Sequence, residues 1–233
     1  MPITAIVFDA YGTLFDVSAA ARLAAAAPGG ERLAALWPRL AEDWRRKQLE
    51  YTWLRTIMAD HADFAQLTGD ALDWALAAQG LADATLRARL LALYDALPAY
   101  PEVPATLAAL KAQGHRLAIL SNGTPMMLAA ATRSAGIAAV LDAVLSVETI
   151  ATYKPDARVY ALATAHFACP PDQVLFVSSN GWDVAGAAHF GFVTAWVNRA
   201  GAPVDRLPGR PSHILPDLAA LPALANPHTG APR

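Results

Sequence analysis

The sequence predicts an α/β fold, an open parallel sheet whose first strand is followed by a helical insertion. Three observations predict it. Short apolar runs, partly β-branched, recur along the chain and end in polar turn-forming residues, as buried strands do. Between the first two runs lie about eighty residues with apolar positions at three- and four-residue spacing and no strand-like alternation. After them, strands alternate with helices whose ends are marked by Gly and Pro.

Ile3-Thr4-Ala5-Ile6-Val7-Phe8 reads as the first strand; it ends on Asp9, with Gly12 and Thr13 as the following turn. From about residue 17 to residue 97 the pattern is helical. Leu33, Leu36, Trp37, Leu40 and Trp44 form one stripe, and Leu72, Ala75 and Leu76 belong to another. Gly69 and Gly80 interrupt, so about four helices are expected there. Pro98, Pro101 and Pro104 mark the return to the sheet domain. Residues 116–120, 143–147 and 173–177 supply three more strands. Gly114 ends one helix, Thr124-Pro125 starts the next, Gly136 stops it, and Gly191 stops a helix begun near Asp183. Residues 193–197 and 213–215 read as edge strands, and residues 226–233 are expected to fray. These boundaries assign 1–15 and 98–233 to a core domain and 16–97 to a helical one. There are no internal repeats.

Composition narrows the function classes. At 233 residues the chain can bury a substantial core. A net charge of −2 gives no electrostatic reason to expect nucleic acid or an anionic membrane as partner. The single Cys169, beside Pro170-Pro171, can form no intrachain disulfide and has no metal-ligand companions, so it reads as a structural thiol. The six histidines (61, 115, 166, 189, 213 and 228) show no paired ligand spacing. The chain enters a strand without a basic segment followed by an apolar one, and no apolar run approaches the ~20 residues that span a bilayer. A cytoplasmic location is expected.

Chemistry gathers at the strand ends. Asp9 follows a buried strand, where open α/β sheets bind their ligands, and a carboxylate there is a candidate nucleophile. Alone it reads better as a turn cap. Three later segments reverse that reading. Ser121-Asn122-Gly123, Lys154-Pro155-Asp156 and Ser178-Ser179-Asn180-Gly181-Trp182-Asp183 each follow a strand and converge on one rim. Lys154 precedes a proline, which disfavours a mid-helix surface lysine. Asp16 reads as a cap for the first inserted helix.

This order resembles the haloacid dehalogenase superfamily, over nearly the whole chain. Within it the match is to the L-2-haloacid dehalogenases (type II). It runs through Phe8-Asp9-Ala10-Tyr11-Gly12-Thr13-Leu14-Phe15-Asp16, Lys47-Gln48-Leu49-Glu50-Tyr51, Ile119-Leu120-Ser121-Asn122-Gly123, Tyr153-Lys154-Pro155-Asp156 and Phe176-Val177-Ser178-Ser179-Asn180. The resemblance implies a Rossmann-like doubly wound parallel sheet with an inserted helical cap domain that closes a small cavity over the strand ends.

The resemblance also fixes the reaction class. Phosphate-transferring members carry an Asp two residues after the nucleophile and an acidic pair in the last loop that holds Mg²⁺. Here those places read Tyr11 and Ser178-Ser179-Asn180-Gly181-Trp182-Asp183, so neither a metal nor any other cofactor is expected. The implied activity is hydrolysis of short-chain (S)-2-haloacids to (R)-2-hydroxyacids with inversion, through an ester on Asp9. Its implied catalytic set is Asp9, Thr13, Arg45, Ser121, Lys154, Tyr160, Ser178, Asn180 and Asp183. Arg45, Asn122 and Trp182 would cradle the halide, while Tyr11, Leu49, Phe64 and Trp182 would wall the alkyl group with Asn122 beside them. For Tyr160 and the wall residues, plain core packing is an equal reading, and Thr13 also reads as a turn hydroxyl.

Two alternatives stand beside this reading, a phosphatase of the same fold and a non-catalytic relative acting as a binding protein. The partner expected is a 2-haloalkanoate, with no nucleic acid and no membrane. Related dehalogenases pair through cap helices, so a homodimer is expected, with the stripes between Leu33 and Trp53 as its apolar surface. Arg46 replaces the Gln that often follows the halide-binding Arg. It either pairs with Glu42 or Glu50 or lines the entrance, and the second placement implies preference for two- and three-carbon substrates.

Overall fold

A computed structural model describes residues 3–81 and 83–225. The fraying expected for 226–233, and His228 with it, lies outside the described residues. Six strands form one parallel sheet: β1 (Ala5–Phe8), β2 (Arg116–Ser121), β3 (Ala143–Ser146), β4 (Val174–Ser178), β5 (Val193–Val197) and β6 (His213–Leu215), in the order β3-β2-β1-β4-β5-β6. β1 and β4 are wholly buried, and β2 is buried beyond Arg116. Strands covered on both faces must be apolar on both, which is why they read as unbroken apolar runs.

The chain steps from β1 through β2 to β3, then returns to β4 and steps the other way. Right-handed crossovers therefore put α5 (Val103–Ala112) and α6 (Pro125–Ser134) on one face, and α7 (Ala157–Phe167) and α8 (Gly181–Phe190) on the other. Consistently, α7 packs on α8, while α5 packs on α9 (Leu221–Ala225). The direction reverses beside β1, so Asp9 exits at the crevice where such sheets bind ligands. Edge status differs from expectation in one respect. β5 lies between β4 and β6 and is buried through Val197, so the edges are β3 and the three-residue β6. Periodicity carries no record of a strand's neighbours, so nothing in the sequence pairs β6 with β5.

Four helices, α1 (Ala19–Ala26), α2 (Trp37–Met58), α3 (Phe64–Ala78) and α4 (Ala84–Asp95), form the cap inserted between β1 and α5. The chain enters and leaves the cap side by side. Asp16 N–H donates to Pro98 O at 3.0 Å and Tyr100 N–H to Leu14 O at 3.0 Å. Asp16 accepts from Ser18 N–H and pairs with Arg22, close to the start of α1.

Three features of the cap differ from expectation. Leu33 and Leu36 sit in a turn before α2, because the helix begins only at Trp37 with Pro38 in its first turn. Gly69 does not interrupt a helix but lies inside α3, where a Cβ would come within 3.1 Å of Arg87 Nη2 on α4. Leu33, Leu40 and Trp44 are buried within the chain, so this part of the stripe is core and not outer surface. Gly80, after α3 with φ +65°, does end it.

Three polar side chains buried in the cap, Trp44, Gln48 and Thr68, pair with one another and with Tyr94. Trp44 Nε1 donates to Thr68 O, and Gln48 Nε2 to Thr68 Oγ1, both at 2.8 Å. Gln48 Nε2 also reaches Tyr94 Oη at 3.1 Å. Satisfying these donors removes the penalty of burying them and fixes the rotamers along the inner face of α2.

Candidate active site

Asp9 leaves β1 with its N–H still bonded to Val177 O across the sheet at 2.9 Å. Gly12, at φ +92°, turns the chain back so that Thr13 returns its hydroxyl to Asp9. Thr13 Oγ1 and Asn180 Nδ2 each donate to Asp9 Oδ2 at 2.9 Å. Thr13 Oγ1 accepts Ser179 N–H at 2.8 Å, which ties the β1 exit to the β4 exit. Ser179, left unassigned from sequence, thus holds Thr13.

The other carboxylate oxygen faces a buried charge. Lys154 Nζ lies 3.1 Å from Asp9 Oδ1 and 2.8 Å from Asp183 Oδ2. Its side chain is 1% exposed and Asp183 is fully buried. Tyr160 OH donates to Asp183 Oδ1 at 2.9 Å and lies 3.2 Å from its backbone oxygen. Tyr160 therefore fixes Asp183, and no contact with Asp9 involves it. Asp183 sits in the first turn of α8, where a carboxylate is favoured by the helix dipole.

The cap supplies a second charge. Arg45, on α2, donates from Nη2 to Tyr11 O at 3.0 Å and approaches Asn180 Oδ1 at 3.5 Å, while Nη1 donates to Gln48 Oε1 at 2.7 Å. Gln48, not picked out from sequence as a site residue, orients the guanidinium and is itself held by Thr68 and Tyr94. Aromatic rings pack around Tyr11. Tyr11 stacks on Tyr94 at 5.4 Å and meets Phe64 at 5.7 Å. Burial, with the neighbouring Tyr94 hydroxyl adding to it, pushes the Tyr11 hydroxyl well above the usual phenol range, so it stays neutral. Leu49 lies one turn from both Arg45 and Trp53 on α2, and Trp53 meets Trp182 edge to face at 5.4 Å. An apolar cavity of about 480 Å³ between cap and core has Trp53, Ile57, Lys154 and Trp182 in its walls.

Several residues expected at the site also brace backbone. Ser121 Oγ accepts Gly123 N–H and Ser178 Oγ accepts Asn180 N–H, both at 3.1 Å, shaping the loops beside Asp9. A hydroxyl at a strand exit has unpaired amides two residues ahead, and these claim it first. Asn122 Oδ1 accepts Lys154 N–H at 3.1 Å, linking the second and third segments. Arg46 does not line the entrance. It is half-exposed, pairs with Asp43 at 2.9 Å and Glu50 at 3.4 Å, and lies over Trp74. One residue on from Arg45 turns the side chain about 100° away from the core.

Comparison with known proteins now decides the family. The family model described as haloacid dehalogenase-like hydrolase matches residues 3–191. The chain belongs to this family. It is 47% identical over 226 residues to (S)-2-haloacid dehalogenase 1 of Pseudomonas sp. (strain CBS-3), covering 96% of each chain. It is 44% identical over 200 residues to the (S)-2-haloacid dehalogenase of Xanthobacter autotrophicus, covering 84% of this chain and 76% of that one. Among solved structures, the L-2-haloacid dehalogenase from Xanthobacter autotrophicus with chloropropionic acid covalently bound superposes with a TM-score of 0.85. It is 37% identical and covers 97% of this chain and 100% of that one.

In this haloacid dehalogenase-like hydrolase the buried triad has a defined pH response. Burial raises the Asp183 carboxyl to about 6, the Lys154 charge opposing and the Asp9 charge adding to the rise. For Lys154, burial favours the neutral amine, but Asp183 and Asp9 outweigh it and lift the ammonium above its ordinary 10.5. Both shifts are upward, so each group's contribution to stability is present below its unfolded value and lost as pH rises through the folded one. For Asp183 that window runs from about 4 to about 6, and for Lys154 it lies above 10.5. The charged Lys154–Asp183 pair thus exists from about pH 6 to beyond 10. A pH–rate profile is expected to show an acid limb near 6 and no loss from Lys154 below 10; a limb near 8 contradicts that assignment.

Proposed function

We propose that this protein hydrolyses short-chain (S)-2-haloacids to (R)-2-hydroxyacids with inversion. The observation that carries the reading is Asp9, held by Thr13, Asn180 and Lys154 and faced by a cap arginine. Asp9 attacks C2 opposite the halogen, the C–O bond forms as the carbon–halogen bond breaks, and the halide leaves with the bonding electrons. Arg45, with Asn122 and Trp182, receives the developing anion. Water then adds to the Asp9 ester carbonyl, releasing the hydroxyacid and the carboxylate and giving up its proton to the Lys154–Asp183 pair. Asp183, with its carboxyl near 6, is suited to accept it and return it to solvent.

Residues 16–97 act as the cap domain, and residues 1–15 and 98–233 as the core. The reaction needs no cofactor and takes place in the cytoplasm. We also read the enzyme as a homodimer that pairs through its cap helices; with Leu33, Leu40 and Trp44 buried within the chain, the large apolar side chains that α2 leaves exposed are Leu54, Ile57 and Met58, beyond the expected stretch.

Halide release tests the reading. (S)-2-chloropropionate is expected to yield chloride and (R)-lactate while the (R)-substrate does not. Release from neither, with 4-nitrophenyl phosphate cleaved in Mg²⁺, would favour a phosphatase. Arg45→Ala is expected to lower kcat/KM about 10²-fold, as loss of one preorganised donor does. An unchanged kcat/KM would remove Arg45 from the cradle.

A further inference from the structure

The cap touches the core at a second place, near the middle of the inserted segment. The loop between α2 and α3 carries His61, Ala62 and Asp63, and α3 begins with Phe64. On the core side, the turn Val147–Thr149 follows β3 and carries Glu148. Both oxygens of that carboxylate are used across the gap. Phe64 N–H donates to Oε1 at 3.2 Å, and His61 Nε2 lies 3.2 Å from Oε2. Tyr153 OH donates to Ala62 O beside them, and its ring lies 5.1 Å from the His61 ring. Glu148 also sits at the amino end of the fifteen-residue α3, where a negative charge meets the unpaired first N–H groups.

What this contact holds is an aromatic stack beside the loop that follows Asp9. The Phe64 ring packs between Tyr153 at 6.3 Å and Tyr11 at 5.7 Å, and Tyr11 carries the carbonyl that anchors Arg45. The same core turn is tied to the Asn122 loop. Ser146 Oγ donates to Gly123 O at 2.7 Å and accepts Glu148 N–H at 3.3 Å. Gly123 in turn approaches Tyr11 so closely that a Cβ would lie 2.7 Å from its ring.

We propose that Glu148 is a positioning residue, which latches the α2–α3 loop to the core and so sets Phe64 against Tyr11 in the closed substrate chamber. The proposal rests on the dehalogenase reading for its substrate but not for its geometry. Glu148 acts through Phe64 and touches no reacting atom, so its loss weakens substrate binding more than chemistry.

The test compares Glu148→Ala and Glu148→Gln with wild type by amide hydrogen exchange and by kinetics on (S)-2-chloropropionate. In Glu148→Ala the Phe64 amide is expected to exchange faster and KM to rise, each about tenfold for one lost hydrogen bond to a charged acceptor, with kcat little changed. Glu148→Gln keeps an acceptor for Phe64 N–H and is expected to recover most of both. Unchanged exchange and KM in Glu148→Ala, or a Gln variant as impaired as Ala, would overturn the latch. Should Glu148→Ala not fold, Tyr153→Phe removes a different bond to the same loop, and the same two readouts decide. A wild type inert toward every 2-halo acid would sink the dehalogenase reading alone, since exchange at Phe64 still reports the latch.

Discussion

Asp9→Ala is expected to abolish turnover, with kcat falling by a factor on the order of 10⁴ or more, while the protein stays folded. The two halves of that outcome have one cause. Asp9 is the carboxylate on which Thr13, Asn180 and Lys154 converge, and no other acidic oxygen is placed to replace it. Asp183 is fully buried and committed to Lys154 and Tyr160. Removing Asp9 leaves Lys154 with that one carboxylate, so no buried charge is orphaned and a like-charge neighbour of Asp183 is lost. Stability is therefore expected to change by no more than about 1 kcal/mol in either direction, as sites held in functional tension allow. Thermal denaturation beside a single-turnover assay checks both halves. Residual activity within a hundredfold of wild type would mean that Asp9 is not the nucleophile.

Lys154→Ala is expected to fail in both respects. Its ammonium sits between two buried carboxylates, and deleting one partner of a buried ion pair costs about 3–5 kcal/mol because the remaining charge is left uncompensated. Here two are left. They relieve their repulsion by sharing a proton, and without the Lys154 charge that lowers Asp183 the proton is taken up at a higher pH than in the intact site, so the variant is expected to regain stability as pH falls, the opposite of acid denaturation. Activity is expected to drop at least 10²-fold, through loss of the donor to Asp9 and of the charge that sustains Asp183. Urea denaturation at pH 5 and pH 8 measures the first effect. Equal stability loss at both pH values would show that the carboxylates do not share a proton.

Much of the fold was legible because buried parallel strands cannot hide. The runs ending at Phe8, Ser121 and Ser178 are apolar on both faces and stop at polar turns. β6 has three residues, two of them exposed, and the interior place of β5 depends on it. Neither periodicity nor composition carries that pairing. At the site, Asp9, Lys154, Asn180 and Asp183 were readable because each lies after a strand and those strands share the β3-β2-β1-β4 half of the sheet. That Ser121 and Ser178 also brace the amides two residues ahead was not, since that contact depends on loop geometry. Gln48 lies within a family-like segment that implied no role for it, and Glu148 lay outside any motif. Their roles arise from which surface of α2 faces Tyr94 and which loop the cap lowers onto the core, and both are tertiary facts.

In the proposed reaction Asp9, not water, attacks the substrate carbon. Single turnover with enzyme in excess over (S)-2-chloropropionate in ¹⁸O-water, followed by mass analysis of the peptide containing Asp9 and of the lactate, tests it directly. Label is expected in the Asp9 carboxylate and unlabelled oxygen in the first product. Label in the lactate, with the Asp9 peptide unchanged in mass, would contradict it.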